Sequence, residues 1–296
     1  MSRSWAIASN YLVYSAMAVY TLSFFAHAIE TAWAVKVPSE NTKTLDYKRT
    51  EKVARIATAM MILGFLLLLA GVIARGMSAG RVPWGNMYEF SITGALAFSG
   101  AYLVTLRKYD LRWLGLLVSI SVLLTLGTAV TVLYVPSSPL VPALKSTWLV
   151  IHVSAAIISG GVFLLANVIA GAYLYLDRME SMGGRSQWAK RLPTLELLDQ
   201  LSYRLVAFVF PLWTFSVIAG AIWAESAWGR YWGWDPKETW AFITWVGYAA
   251  YLHARVTMSW RGRRAAWLCI FAGSTFLFNY VYVNIWGTGK HTYSGL

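Results

Sequence analysis

"LVAFVFPLWTFSVIAGAIWAESAWGRYWGWDPKETWAFITWVGYAAYLHARV", residues 205–256, holds two apolar runs joined by a stretch dense in tryptophan and charge. Taken as 203–223 and 239–258, each run is about 20 residues long, enough for an α-helix to cross a hydrocarbon core of about 30 Å. Six further stretches of the same kind lie at 7–29, 53–75, 87–106, 113–133, 149–175 and 266–286. The composition is 58% hydrophobic and 13% charged, about half the charge of a soluble domain. The expected fold class is an all-α integral membrane protein of eight transmembrane helices, a single polytopic domain over 1–296. Its tryptophan-rich connection, 223–240, joins helices six and seven. Residues 7–29 are long, dotted with polar groups and followed by no small-residue cleavage site, so they read as a retained span.

The formal net charge of +12 would suit nucleic acid, but its placement does not. The connections 30–52, 107–112, 176–204 and 255–264, with adjoining helix ends, hold 18 of the 25 lysines and arginines. The other face holds Arg3, Arg75, Arg81, Lys145, Arg230, Lys237 and Lys290. Cytoplasmic loops gather Lys and Arg, so this bias puts both termini and the tryptophan-rich connection on the extracytoplasmic side. The basic excess reflects topology and attraction to anionic membrane lipid, and no nucleic-acid partner is expected. On the inner side, 36–52 reads as a mobile loop. The segment "LPTLELLDQL", 192–201, reads as an amphipathic interfacial helix.

The lone cysteine, Cys269, excludes an internal disulfide, a CxxC redox pair and a thiolate metal cluster. Four histidines remain to be placed. His152 lies near the outer end of helix five and His291 just past the outer end of helix eight, so both flank the tryptophan-rich connection. His253 sits about 20 Å below the outer start of helix seven, beside the small residues Ala249, Ala250 and Ala254. His27 ends helix one on the inner side, where its ring can reach water. An ionisable group inside a membrane is costly and usually functional. Two outer histidines on separate helices make a bis-imidazole pair, and neutral imidazole is a common axial ligand of haem iron.

Indole rings offer flat surface for stacking on a macrocycle. A membrane-interface belt would spread aromatics over many helix ends, whereas Trp223, Trp228, Tyr231, Trp232, Trp234 and Trp240 gather in one connection. Gly229 and Gly233 let those rings approach a flat ligand closely. "DPKE", 235–238, forms a capping box for helix seven, with Asp235 as N-cap, Pro236 at the first helical position and Glu238 three residues on. The cations Arg230 and Lys237 suit the propionates of haem.

The run from Trp228 through Asp235 resembles the tryptophan-rich "WWD" signature of haem-handling proteins in cytochrome c biogenesis. His152 and His291 match that family's flanking histidines, and His253 its intramembrane histidine. The segment "PWGNMYEF" resembles an element of the CcsA/ResC branch, here Pro83, Asn86, Tyr88 and Glu89. Tyr231 departs from the family, which commonly has tryptophan there. Eight helices also favour this branch over the shorter CcmC type and the longer CcmF type.

The resemblance implies a subunit of the System II cytochrome c synthetase in a bacterial cell membrane. That machine carries haem b to the extracytoplasmic face and joins it to the CxxCH thiols of apocytochrome c. His152 and His291 would hold the iron at the outer site and His253 within the membrane. The loop residues Trp228, Arg230, Tyr231, Trp232, Trp234 and Asp235, with Lys237, would hold the macrocycle. It further implies a ResB-type membrane partner, with thiol-reducing thioredoxin-like proteins acting indirectly. No residue looks like a nucleophile, so haem lyase activity would belong to the complex. Two other classes fit parts of the sequence. A di-haem b-type respiratory membrane cytochrome would need histidine pairs at two depths. A transporter of an amphipathic solute, using Glu30, Glu89 or Glu225, would show broken helices or inverted repeats.

The charge bias predicts that reporters fused after Trp223 and after Leu296 read extracytoplasmic and one near Gly183 reads cytoplasmic. An extracytoplasmic signal at Gly183 would invert the orientation.

Overall fold

The computed structural model describes residues 2–36, 45–139, 144–185 and 189–291. Eight α-helices carry the chain: α1 (Arg3–Lys36), α2 (Leu45–Ala79), α3 (Met87–Leu106), α4 (Gly115–Thr131), α5 (Thr147–Ser181), α6 (Leu195–Trp228), α7 (Pro236–Val256) and α8 (Arg263–Trp286). Single 3-10 turns at Arg112–Leu114 and Ala189–Arg191 precede α4 and α6. No strand occurs among the described residues. Seven of the helices are long and apolar enough to cross a membrane, which makes this a multi-pass membrane protein. The helix outside that set is α7. Its 21 residues would reach about 30 Å, but Lys237, Glu238, His253 and Arg255 dilute its apolar character.

Two expectations change at the end of the bundle away from the tryptophan-rich loop. Residues 45–52, expected in a mobile loop, form the first turns of α2, while 37–44 lie outside the described residues. Residues 195–201, expected in an interfacial helix, form the first turns of α6. Thr194 Oγ1 caps them by accepting the Leu197 N–H at 3.3 Å. Leu198 and Leu201 are buried in the core instead of lying on a headgroup layer. No glycine or proline interrupts 195–210, so the amphipathic and apolar segments fuse into one helix.

Lipid tails are as apolar as leucine, so close backbone approach and hydrogen bonds must hold the helices together. In the α1–α2 pair, Ser9 Oγ donates to the Gly71 carbonyl at 2.8 Å and Ser23 Oγ to the Ala57 carbonyl at 2.9 Å. Helix α5 is the most buried span and packs on α3, α6 and α8. Gly161 sets its approach to α3, because a Cβ there would lie 2.8 Å from the carbonyl carbon of Ala97. The less apolar α7 is tied on three sides. Phe163 stacks on Tyr248 with centroids 3.8 Å apart, and Asn167 Nδ2 donates to the Tyr248 hydroxyl at 2.7 Å. Trp245 Nε1 donates to Thr214 Oγ1 of α6 at 2.9 Å. Thr275 of α8 donates to Thr244 Oγ1 at 3.1 Å. These bonds fix the helix that follows the tryptophan-rich loop.

Gly161→Ala should lower the melting temperature of the detergent-solubilised protein, since overpacking costs about 1–3 kcal/mol. Gly94→Ala, with nothing within 4 Å of the added methyl, should not. Equal melting temperatures for the two variants would contradict this packing account.

Candidate functional site

The loop between α6 and α7 is built by hydrogen bonds to two carboxylates. Helix α6 ends where Gly229 adopts φ +70°, its N–H returning to the Glu225 carbonyl at 2.7 Å. A left-handed residue there is the usual helix stop. Glu238 then reaches back from α7. Its Oε2 accepts the N–H of Gly233 at 2.8 Å and of Asp235 at 3.1 Å. The Arg230 guanidinium lies 3.5 Å from both Glu238 oxygens and covers Gly233 so closely that a Cβ there would overlap it. The expected capping box is present.

Asp235 does more than cap. Its Oδ1 accepts the Lys237 N–H at 3.1 Å and Nδ1 of His291 at 2.9 Å, and its Oδ2 accepts the Lys290 N–H at 2.7 Å. Gly289 passes so near Oδ2 that a side chain would collide with it. Burial raises the Asp235 carboxyl, but the His291 hydrogen bond and charge, with the two backbone N–H groups, outweigh it and hold it at about 2. The carboxylate is therefore ionised across the physiological range. In the neutral form of His291 this pure acceptor keeps the ring proton on Nδ1 and leaves the lone pair on Nε2.

His152 reaches the same state by another route. Its Nδ1 lies 2.7 Å from the Ser216 carbonyl, which can only accept, so its lone pair also resides on Nε2. Ser216 Oγ donates to the His152 carbonyl at 3.0 Å and locks the α5–α6 contact. Gly220, one turn further along α6, leaves room for the ring, because a Cβ there would lie 2.7 Å from its Cε1. Both imidazoles line one cavity of about 180 Å³. Trp223 lies beside both rings, near-parallel to His152 with centroids 6.2 Å apart and edge-on to His291 at 5.6 Å.

The segment "PWGNMYEF" forms a wall of this cavity through Trp84, Gly85, Asn86 and Met87. Asn86 caps α3 by accepting the Glu89 N–H at 2.9 Å. Glu89 is fully buried. It receives Arg75 at 2.9 Å, Arg81 at 2.7 Å and the Gly85 N–H at 2.8 Å. Arg75 also holds the Val135 carbonyl at 2.6 Å, so the cluster ties the wall to the α4–α5 connection. Removing one partner from a buried ion pair typically costs about 3–5 kcal/mol, which makes this cluster a rigid support.

The structure sorts the residues singled out by sequence. His152, His291, Tyr231, Trp232 and Lys237 line the cavity. Trp228 packs edge-on against His291 at 4.7 Å, and Asp235 stands behind that ring. Trp234 is 66% exposed, at φ +57°, with its ring edge-on to Trp232 at 5.8 Å. A tryptophan at positive φ is a strained outlier, and Trp234 is not part of the cavity lining. His253 is not brought to this cavity. It lies on the exposed face of α7, with Nδ1 3.4 Å from Thr257 Oγ1. His27, expected at the end of helix one with its ring reaching water, lies within α1, which continues to Lys36, and is buried against Gly115 of α4. Cys269 is fully buried. Sequence reasoning missed Trp84, Trp213 and Asn279 as cavity residues. Asn279, a polar side chain in an apolar helix, carried a legible signal.

Residues 84–291 match the family model described as "Cytochrome C assembly protein". The chain is 38% identical to "Cytochrome c biogenesis protein CcsA" of Guillardia theta over 275 residues, covering 85% of this chain and 90% of that protein. It is 34% identical to the protein of the same name from Porphyra purpurea over 293 residues, with 86% and 91% coverage. Among solved structures it resembles "Cytochrome c Heme Lyase CcmF", with a TM-score of 0.65 and 17% identity. That alignment covers 95% of this chain and 47% of that one, and it shows likeness of fold. The family match begins at Trp84 and ends at His291, both residues of the cavity wall, and with relatives this similar over most of their length the chain belongs to the cytochrome c assembly family, as a CcsA-type biogenesis protein.

Proposed function

We propose that this chain is the haem-handling subunit of a System II cytochrome c synthetase, presenting haem b at the extracytoplasmic face of a bacterial cell membrane. One observation carries the proposal: two imidazoles on different elements line one cavity, each with Nδ1 engaged so that Nε2 is the atom left for a ligand. Metal-ligating histidines characteristically donate their other N–H to a carboxylate or a backbone carbonyl, as Asp235 and Ser216 accept here. No group of three His, Cys, Asp or Glu able to hold a bare metal ion occurs among the described residues. Two axial donors suit a metal that brings its other ligands with it, as haem iron does.

In that role His152 and His291 hold the iron from their Nε2 atoms. Asp235 and the Ser216 carbonyl fix the ring directions, and Trp232 with Tyr231 walls the macrocycle on the loop side. Haem supplies the vinyl groups. The thiols of a CxxCH apocytochrome c add across them, so each sulfur gains a bond to carbon and its proton passes to the neighbouring vinyl carbon. The chain's own contribution is proximity and orientation. A ResB-type membrane partner completes the synthetase, and thioredoxin-like proteins keep the thiols reduced. His253, exposed on α7, would ligate haem in transit, its opposite ligand coming from the partner. A di-haem b-type respiratory cytochrome finds less support, because only two of the four histidines share a cavity.

His152→Ala and His291→Gly should each abolish cytochrome c maturation while the protein stays in the membrane, and added imidazole should restore part of it. Asp235→Asn keeps a good N-cap residue but removes the charged acceptor behind His291. It should weaken haem binding by about 10–100-fold, the usual worth of such a partner. Normal maturation in both histidine variants would remove the ligand assignment.

A further inference from the structure

Resting on the haem proposal, the geometry points to a carboxylate-binding subsite within the same cavity, formed by Lys237, Trp84 and Trp213, that receives the haem propionates. The sequence offers two cations in this region, and the structure separates them. Arg230 is spent on the loop itself. Its guanidinium covers Gly233, faces both Glu238 oxygens at 3.5 Å and lies 5.9 Å from the Trp228 ring centroid. Lys237 instead lines the cavity. Its Nζ donates to the backbone carbonyl of Asn279 at 3.2 Å, and among the described residues no carboxylate lies within 4.0 Å of it.

An ammonium has three donors, so two remain for a ligand. The nearby Asp235 does not answer them, because its oxygens already receive the backbone N–H groups of Lys237 and Lys290 and the ring of His291. Two further residues that line the same cavity carry donors without an acceptor among the described residues. Nε1 of Trp84 and Nε1 of Trp213 are both buried, and Trp213 as a whole is only 5% exposed. An indole N–H can donate only, and a buried donor left unpaired costs about 1–3 kcal/mol. A cation and two indole N–H groups in a mostly apolar cavity, whose other polar lining includes Asn86, Glu238 and Asn279, together call for an anionic acceptor on a largely apolar ligand. Carboxylates at one edge of a macrocycle have that chemistry. The subsite would therefore set which edge of the ring enters the cavity, and would distinguish haem from neutral porphyrin analogues.

The test titrates haem b and haem b dimethyl ester, in which both carboxylates are masked, into the full-length chain in nanodiscs. Soret absorbance reads the two dissociation constants. The native chain should bind haem b at least about tenfold more tightly than the ester, the worth of one charge-assisted hydrogen bond. Lys237→Met should abolish most of that preference by weakening haem b alone, and Lys237→Arg should keep it. Trp84→Phe should reduce it by a smaller factor. Lys237→Gln provides a second neutral variant if Lys237→Met fails to fold. Equal binding of the two ligands by the native chain, or an undiminished preference in the neutral variants, would overturn the subsite. Binding of neither ligand, or binding indifferent to His152→Ala, would instead overturn the haem proposal on which it rests.

Discussion

The Asp235 carboxylate is the bond on which the site depends. It joins the loop after α6 and the first turn of α7 to the stretch after α8, which is distant from them in sequence. A helix N-cap contributes about 1 kcal/mol, and a hydrogen bond to a charged group about 1.5–3 kcal/mol. Asp235 takes part in both kinds of interaction at once, accepting from Lys237, Lys290 and His291. Residues 287–291 lie beyond the end of α8, and the bonds from Lys290 and His291 to Asp235 anchor that stretch to α7. Glu238 completes the arrangement by holding the loop backbone at Gly233 and Asp235. The loop is thereby rigid despite its two glycines.

The two histidines show how different structural means can give one chemical result. His291 is fixed by a carboxylate and stands on a segment outside any helix. His152 is fixed by a backbone carbonyl within a helix pair, where Gly220 permits the approach. Both end with Nδ1 engaged. The supports are equally unlike: the Asp235 network on one side, and the buried Glu89–Arg75–Arg81 cluster beneath the Trp84 wall on the other. Precise placement of the two rings needs such supports, because a site loose by about 1 Å loses much of its function.

Much of this was legible in the sequence because it is local. Eight apolar runs of spanning length gave eight helices, and the spacing of Asp235, Pro236 and Glu238 gave the cap. What depended on neighbours was not legible. Whether 195–201 lies on a membrane surface or continues α6 turns on the burial of Leu198 and Leu201, which other helices supply. Arg230 and Lys237 look alike as cations, and only the fold places one over Gly233 and the other in the cavity. The exposure of His253 follows from the face that α7 turns toward α5, α6 and α8. Nor could the positive φ of Trp234 be foreseen, since local preference opposes it.

The central claim is that His152 and His291 are two ligands of one iron. Electron paramagnetic resonance of the full-length chain loaded with ferric haem b tests it most directly, comparing the native protein with the His152→Ala/His291→Ala double variant. The account predicts a low-spin, bis-imidazole signal in the native chain that is lost in the double variant; the same bis-imidazole signal persisting without both histidines would contradict it.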